Sequence, residues 1–291
     1  MDSRSLRYFA AVAEHKNITH AAKAVCIAQP ALSIAIKKLE QELGVTLFRR
    51  GDRQVQLTPE GEVLLPYAKS VLQKIEDAQL AMEELKGLRK GEVRLGVPGM
   101  MGTYYFPEIL MGFKTSYPQL NLTIVEAGTQ AIKNMLLKGE LDLGVIIDEN
   151  VPDELESEHF YRSQMMAVVA PQHPLAVEPS VTFEKFFSYE LAMFKTGYFH
   201  REFIDTISQT QELVPRFSFE TNLLPLLLRI VRQEYAITAL LELVVSHESN
   251  VVGVAFEPPK FLNLALAWRK GGYLSIAERT FIDYLKRHSD N

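Results

Sequence analysis

Apolar side chains recur at three- and four-residue steps through the first part of the chain, up to about residue 85, and in short runs beyond it. Leu6, Phe9, Ala10, Val12 and Ala13 predict a first helix with one apolar face. Residues 19–25 are short and alanine-rich, and Cys26-Ile27-Ala28 interrupt them. Gln29 and Pro30 open another helix, with Leu32, Ile36, Leu39 and Leu43 sharing a face; a proline suits a first turn, where its missing N–H is no loss. Ala21, Ala22 and Ala24 allow the two helices to approach closely. Two short helices joined by a three-residue turn read as a helix-turn-helix, the alternative being an ordinary amphipathic hairpin. The outer face of the second helix carries Gln29, Ser33, Lys37 and Lys38, residue types that suit base edges and phosphates in a major groove. Cys26, in the turn, reads as a core residue.

Two β-prone runs, 45–48 and 55–57, flank Arg49-Arg50-Gly51-Asp52-Arg53 and predict a hairpin. Beside a helix-turn-helix this is a wing, and Arg49, Arg50 and Arg53 at its tip suit phosphates or a minor groove. Thr58-Pro59-Glu60 is a helix start, with a hydroxyl cap, proline at the first position and acid in the first turn. The helix that follows runs to about Leu85, roughly 42 Å at 1.5 Å per residue. Leu64, Ala68, Val71, Ile75, Ala78, Met82 and Leu85 form a heptad seam along it. Such a seam predicts pairing with a second copy; the alternative is packing on the C-terminal part of the same chain.

After the polar stretch 87–91 the pattern changes to short apolar runs alternating with amphipathic ones. Strands are expected at 93–97, 122–126, 141–147, 165–170, 191–194, 216–220, 236–240 and 262–268. Helices are expected at 105–117, 129–138, 183–187, 201–209, 223–231 and 275–286. Strand–helix alternation predicts a parallel α/β sheet.

At 291 residues, two domains are more economical than one. No run of about 20 apolar residues is present, so no membrane span is expected. The N-terminus lacks an apolar signal core and the chain has one cysteine, which together point to the cytoplasm. The net charge of −5 is unevenly placed. Residues 1–58 carry nine Lys or Arg against five Asp or Glu, and the remainder 22 against 31. A basic head on an acidic body fits local phosphate binding. The seven histidines show no HxH or HExxH spacing, and there is no GxSxG or Walker loop. No catalytic centre, metal or cofactor is therefore expected. Gly96, Gly99 and Gly102 form GxxGxxG rather than a dinucleotide fingerprint, which reads better as a loop that lets backbone approach a small ligand. Helix starts offer free N–H groups to anions. The candidates are Gly99, Met100 and Thr103, then Gly128 and Thr129, then Thr221. Tyr198, Phe199 and His200 follow a strand and face the same region. For each threonine a plain N-cap role is the competing reading.

Residues 6–61 resemble, in one ordered run, the DNA-binding domain of LysR-type transcriptional regulators. Two positions depart from that pattern: Ala28 stands where the family usually has a serine cap, and Ile34 where it often has arginine. The C-terminal half resembles the family's regulatory domain, through GELDLGVI (139–146), MMAVVAPQHPL (165–175) and YLSIAERTFIDYLKR (273–287). The pattern departs at 232–235, where relatives often have glycine.

The resemblance implies a winged helix-turn-helix at 1–58, a dimerisation helix at 59–86, a hinge at 87–91 and an effector-binding α/β domain at 92–291. That last domain would be similar to periplasmic binding proteins. It would have lobe one at 92–161 and 267–291, lobe two at 162–266, and crossovers near Arg162 and Ala265. Thr103 and Thr129 match family positions that hold an effector carboxylate, while Met100 replaces a hydroxyl residue. The implied partners are double-stranded promoter DNA, further copies of the chain with a tetramer favoured over a dimer, a small-molecule effector, and RNA polymerase. The helix starts and their apolar neighbours favour a small organic anion. The rival readings are a regulator without a ligand, an enzyme and a secreted solute-binding protein.

Overall fold

The computed structural model describes residues 1–50, 55–85 and 91–289. The chain forms two compact units, Met1–Lys86 and Gly87–Asn291.

In the first unit, α1 (Ser3–His15) is capped by Asp2, which accepts from the Ser5 amide at 2.7 Å. Asn17 caps α2 (Ile18–Ala24) by accepting from His20 N at 3.0 Å, which starts that helix one residue before the alanine-rich run. α3 (Gln29–Leu43) has no side-chain cap and ends on Gly44 in the left-handed region. Leu6, Phe9 and Val12, Ala21 and Ala22, and Leu32, Ile36 and Leu39 close one core with Leu47 and Ala68. Cys26 corrects the expectation of a core residue. It is exposed with φ 56°, and the left-handed turn that points it outward sends Val25 and Ile27 towards the core instead.

The hairpin pairs β1 (Phe48–Arg50) with β2 (Val55–Leu57) antiparallel. Its first strand begins later than the apolar run. The Glu40 carboxylate accepts from Leu47 N (2.7 Å) and Phe48 N (3.2 Å), pinning this stretch to α3 before the ladder starts. Thr58 caps α4 (Pro59–Leu85), accepting from Gly61 N at 3.0 Å. The first part of α4 belongs to this unit's own core: Ala68 is buried and Leu64 half-buried against it. Those two seam positions are therefore already occupied. Val71 (43% exposed), Ala78 and Met82 (52% exposed) face outward, and Ile75 is partly so.

The second unit has a seven-stranded mixed sheet, not the all-parallel one expected. β3 (Glu92–Val97) pairs in parallel with β4 (Asn121–Glu126) and β5 (Leu143–Ile147). Two long strands, β6 (Leu155–Val169) and β11 (Val252–Arg269), then run antiparallel to one another. One half of β11 pairs with β5, and the other with β7 (Ser180–Thr182). β10 (Thr238–Leu241) pairs with the far half of β6. A separate parallel pair joins β8 (Glu190–Met193) to β9 (Arg216–Glu220). β5 pairs with β11 up to Leu264, and β10 pairs with β6 from Met165. The change of sides thus falls at 162–164 and 260–263. These lie close to the expected crossovers near Arg162 and Ala265, the second falling a few residues earlier because Ala265 still pairs with Ile146.

The helix expected at 105–117 is α6 (Phe106–Ser116), and a separate short helix, α5 (Gly99–Tyr104), precedes it. Pro107 has no amide to continue the ladder, which breaks it at Tyr105. The others are α7 (Thr129–Lys138), α8 (Phe183–Phe187), α9 (Phe199–Gln211), α10 (Leu224–Arg232), α11 (Glu242–His247) and α12 (Ile276–His288). Arg94 ties β3 to the loop before β5 through Asp142 (Nη2 to Oδ1 2.6 Å, Nε to Oδ2 3.1 Å).

Candidate DNA-reading face and ligand cleft

Leu32, Ile36 and Leu39 seat α3 on the core, so the opposite side must face water. Gln29, Pro30, Lys37 and Lys38 are exposed there and Ser33 is partly so. Gln29 Nε2 donates to Ser33 Oγ at 3.2 Å, laying the amide along the helix. Because Ala28 contributes no cap, the first-turn amides of α3 lack a side-chain acceptor, and such amides favour a phosphate. Arg49 is exposed on β1, opposite Gln56. Arg53 lies outside the described residues, as do the side chains of Arg50 and Leu85 and most of the expected hinge at 87–91. Where Lys37 or Lys38 meets phosphate, its change to alanine should weaken binding to all duplexes alike. A salt titration should then show the slope of log affinity reduced by about one.

In the second unit the predicted ligand residues come from both sides of the crossover, and most converge. Met100, on α5, meets His200, on α9, with Nε2 3.3 Å from Sδ. Gly128, the N-cap of α7, abuts Gly197 and Tyr198; a β-carbon there would overlap the Gly197 carbonyl oxygen. Gln130 N approaches that oxygen at 3.5 Å. Tyr198 OH donates to Glu126 at 3.3 Å. The Tyr198 and His200 rings both stack on Phe194, at 5.5 and 4.7 Å. Phe199 is buried and packs against His200. Neither α7 nor α9 has a side-chain cap, so two helix N-termini open near one seam. A second bridge joins the same two halves: Tyr104 on α5 donates to Glu248, which also pairs with Arg232.

Thr129 is 2% exposed and His200 1%, and Thr129 Oγ1 and His200 Nδ1 have no hydrogen-bond partner. Burial pushes the His200 imidazole down from 6.5 to about 3, so it is neutral in the folded chain. The unfolded state takes up the proton first, so stability is present above about pH 6.5 and lost as pH falls towards 3. Replacing His200 with Gln should remove roughly 2–3 kcal/mol of the loss between pH 6.5 and about pH 4.5, read from denaturation midpoints.

Two predicted residues do not join this cluster. Thr103 sits in the last turn of α5, not at its start, because the helix already begins at Gly99. Its exposed hydroxyl donates to Gly99 O at 2.7 Å. Thr221 precedes α10, with its hydroxyl accepting from Leu223 N at 3.1 Å. Glu126, Phe194 and Gly197 were not singled out from sequence. Gly197 alone carried a signal, as a glycine in a polar loop; it has φ 90°.

A helix-turn-helix with a basic hairpin, and a separate α/β unit whose halves meet over buried unpaired polar atoms, define a DNA-binding regulator with a ligand-binding body. Residues 3–62 match the family described as bacterial regulatory helix-turn-helix protein, lysR family, and residues 86–290 match the LysR substrate binding domain. The chain belongs to the LysR family of transcriptional regulators. It is 30% identical over 291 residues to an uncharacterized HTH-type transcriptional regulator of Bacillus subtilis (strain 168), YwbI, covering 99% of this chain and 97% of that one. It is similar to a full-length OxyR variant from Pseudomonas aeruginosa, with TM-score 0.67 and 25% identity over 98% of this chain and 95% of that one. The regulatory domain of Synechocystis PCC6803 CcmR, in complex with 2-PG, shares the fold. There the TM-score is 0.64 and the identity 20%, over 69% of this chain and 98% of that one. Among the described residues no helix is long and apolar enough to cross a membrane.

Proposed function

We propose that this regulator reads promoter DNA with Gln29, Pro30, Ser33, Lys37 and Lys38 of α3 and with Arg49, Arg50 and Arg53 of the wing. It pairs through α4 and responds to a small organic anion held between the two halves of its α/β unit. The working division is a reading head at 1–58, a pairing helix at 59–86, a hinge at 87–91 and a regulatory body at 92–291, with the second lobe ending near 263. The chain performs no catalysis, acts in the cytoplasm, and meets RNA polymerase when bound at a promoter. Assembly to a tetramer is supported by apolar side chains exposed on the regulatory unit, Met111 and Ile124 on one half and Phe219, Leu223 and Leu226 on the other.

The observation that carries the ligand reading is the pair of buried, unpartnered polar atoms, Thr129 Oγ1 and His200 Nδ1, where α7 and α9 both begin uncapped. Burying a polar group without a partner costs on the order of 1–3 kcal/mol, and a ligand with oxygen atoms would recover it. First-turn amides select negative charge. The apolar walls, Met100, Phe194 and Phe199, suit a carbon skeleton. Thr103 is left out of the contact set, because its hydroxyl is already bonded within α5.

The test is a thermal-shift screen of the full chain against small carboxylates, sugars and amines, repeated on Thr129→Val and His200→Gln. A carboxylate that raises the melting temperature of the wild type, and of neither variant, supports the site. A sugar or amine hit that both variants retain would refute it. That the CcmR regulatory domain, which shares this fold, forms a complex with 2-PG supports a small-molecule ligand for this unit.

A further inference from the structure

The outermost point of α3 carries an apolar side chain. Ile34 is 69% exposed, more than most large apolar residues of the chain. At 3.6 residues per turn it lies about 160° around the helix from both Leu32 and Ile36, which anchor α3 to the core. Pro30 precedes it by one turn and Lys37 follows by nearly one, with Gln29 and Ser33 to one side and Lys38 to the other. In the reading proposed above, this point enters deepest into the major groove.

An isoleucine there has no donor or acceptor, and the base edges it meets differ in what that costs. Guanine, cytosine and adenine present donors and acceptors but no methyl group in the major groove, and covering those polar atoms without a partner forfeits hydrogen bonds to water. Thymine alone presents a methyl group. We infer that Ile34 is a specificity-determining residue that reads a thymine C5-methyl in each half-site, with Lys37, Lys38 and Arg49 supplying the attraction to phosphate around it.

Burying one methyl is worth about 0.8 kcal/mol, or about fourfold in affinity for each half-site and about fifteenfold for two. The methyl can be removed without changing any hydrogen-bonding group, by replacing thymine with uracil.

The experiment starts from a duplex that the full-length protein selects from a random pool. Each thymine in the selected duplex is replaced singly by uracil, and affinity is read by fluorescence anisotropy. One thymine per half-site should cost about fourfold. Ile34→Ala changes both reading heads, so it should bind the parent duplex about fifteenfold more weakly, as the wild type binds a duplex with uracil in both half-sites, and should not distinguish the two. Ile34 makes no core contact, so the variant should melt with the wild type.

The inference rests on α3 being the reading element, and Gln29→Ala separates the two failures. If Gln29→Ala weakens binding while every uracil replacement is tolerated, Ile34 is not a thymine reader and α3 stands. The same holds if the uracil effect persists undiminished in Ile34→Ala. If Gln29→Ala, Lys37→Ala and Ile34→Ala all leave affinity unchanged, α3 does not read the groove and both readings fall.

Discussion

A chain carrying Val71→Asp or Ile75→Asp should run as a smaller species than the wild type in light scattering at micromolar concentration. It should also lose on the order of 10² or more in affinity for a two-half-site duplex. α4 is 27 residues long, and in the single chain Val71, Ala78 and Met82 of its apolar seam face outward, with Ile75 partly so. A carboxylate placed in a paired seam is either buried without a partner, at roughly 3–5 kcal/mol, or separates the helices. The DNA effect follows from avidity, because two linked reading heads bind their second half-site at high effective concentration and a single head does not. Position matters: Leu64 and Ala68 pack into the core of the reading unit, so a charge there should unfold the head instead. Full-size oligomers in both outward-facing variants would show that the seam pairs nothing.

A second large effect is expected at Gly128. Its φ is −69°, which any residue adopts, so glycine is needed there for space and not for backbone freedom. A β-carbon would overlap the Gly197 carbonyl oxygen and crowd the Tyr198 ring. Gly128→Ala should therefore fold and bind DNA yet hold the two halves apart, breaking the Met100–His200 and Glu126–Tyr198 contacts. A ligand shifts a conformational equilibrium only by binding its states unequally. With the closed state removed, ligand should no longer change DNA affinity, and the thermal shift should vanish. Gly102→Ala is the control, since the nearest atom to its added carbon is Val97 Cγ1 at 3.7 Å. An unaltered ligand response in Gly128→Ala would mean that closure here is not part of signalling.

Where sequence signals are local, the elements were readable. Thr58 capping α4, Ser275 and Glu278 forming a capping box on α12, and the α7 and β9 spans all follow from residues within a few positions. The long crossover strands were not readable as such. β6 begins in a polar stretch, Glu156-Ser157-Glu158-His159, which pairs with β11 alone and stays exposed or half-buried, so it carries no apolar alternation. β11 passes through Pro258 and Pro259, which interrupt its register between Ala255 and Lys260 and read as a break. The ligand candidates were legible as types but not as a set. Nothing within five residues of Met100 indicates that His200 will lie against its sulfur, or that Phe194 will carry two stacked rings. Thr103 shows the converse: its hydroxyl reads from sequence as lying at a helix start, whereas the helix begins at Gly99 and carries Thr103 in its last turn.

The central claim is that α3 and the wing form the DNA-reading surface. It is tested most directly by the affinity of the full chain for its selected duplex and for an unrelated one, measured for the wild type, Gln29→Ala and Arg49→Ala. Gln29→Ala should lose about 1–3 kcal/mol on the selected duplex and little on the other. Arg49→Ala should weaken both alike and flatten the salt dependence. Unchanged affinity for both duplexes in both variants would contradict the claim.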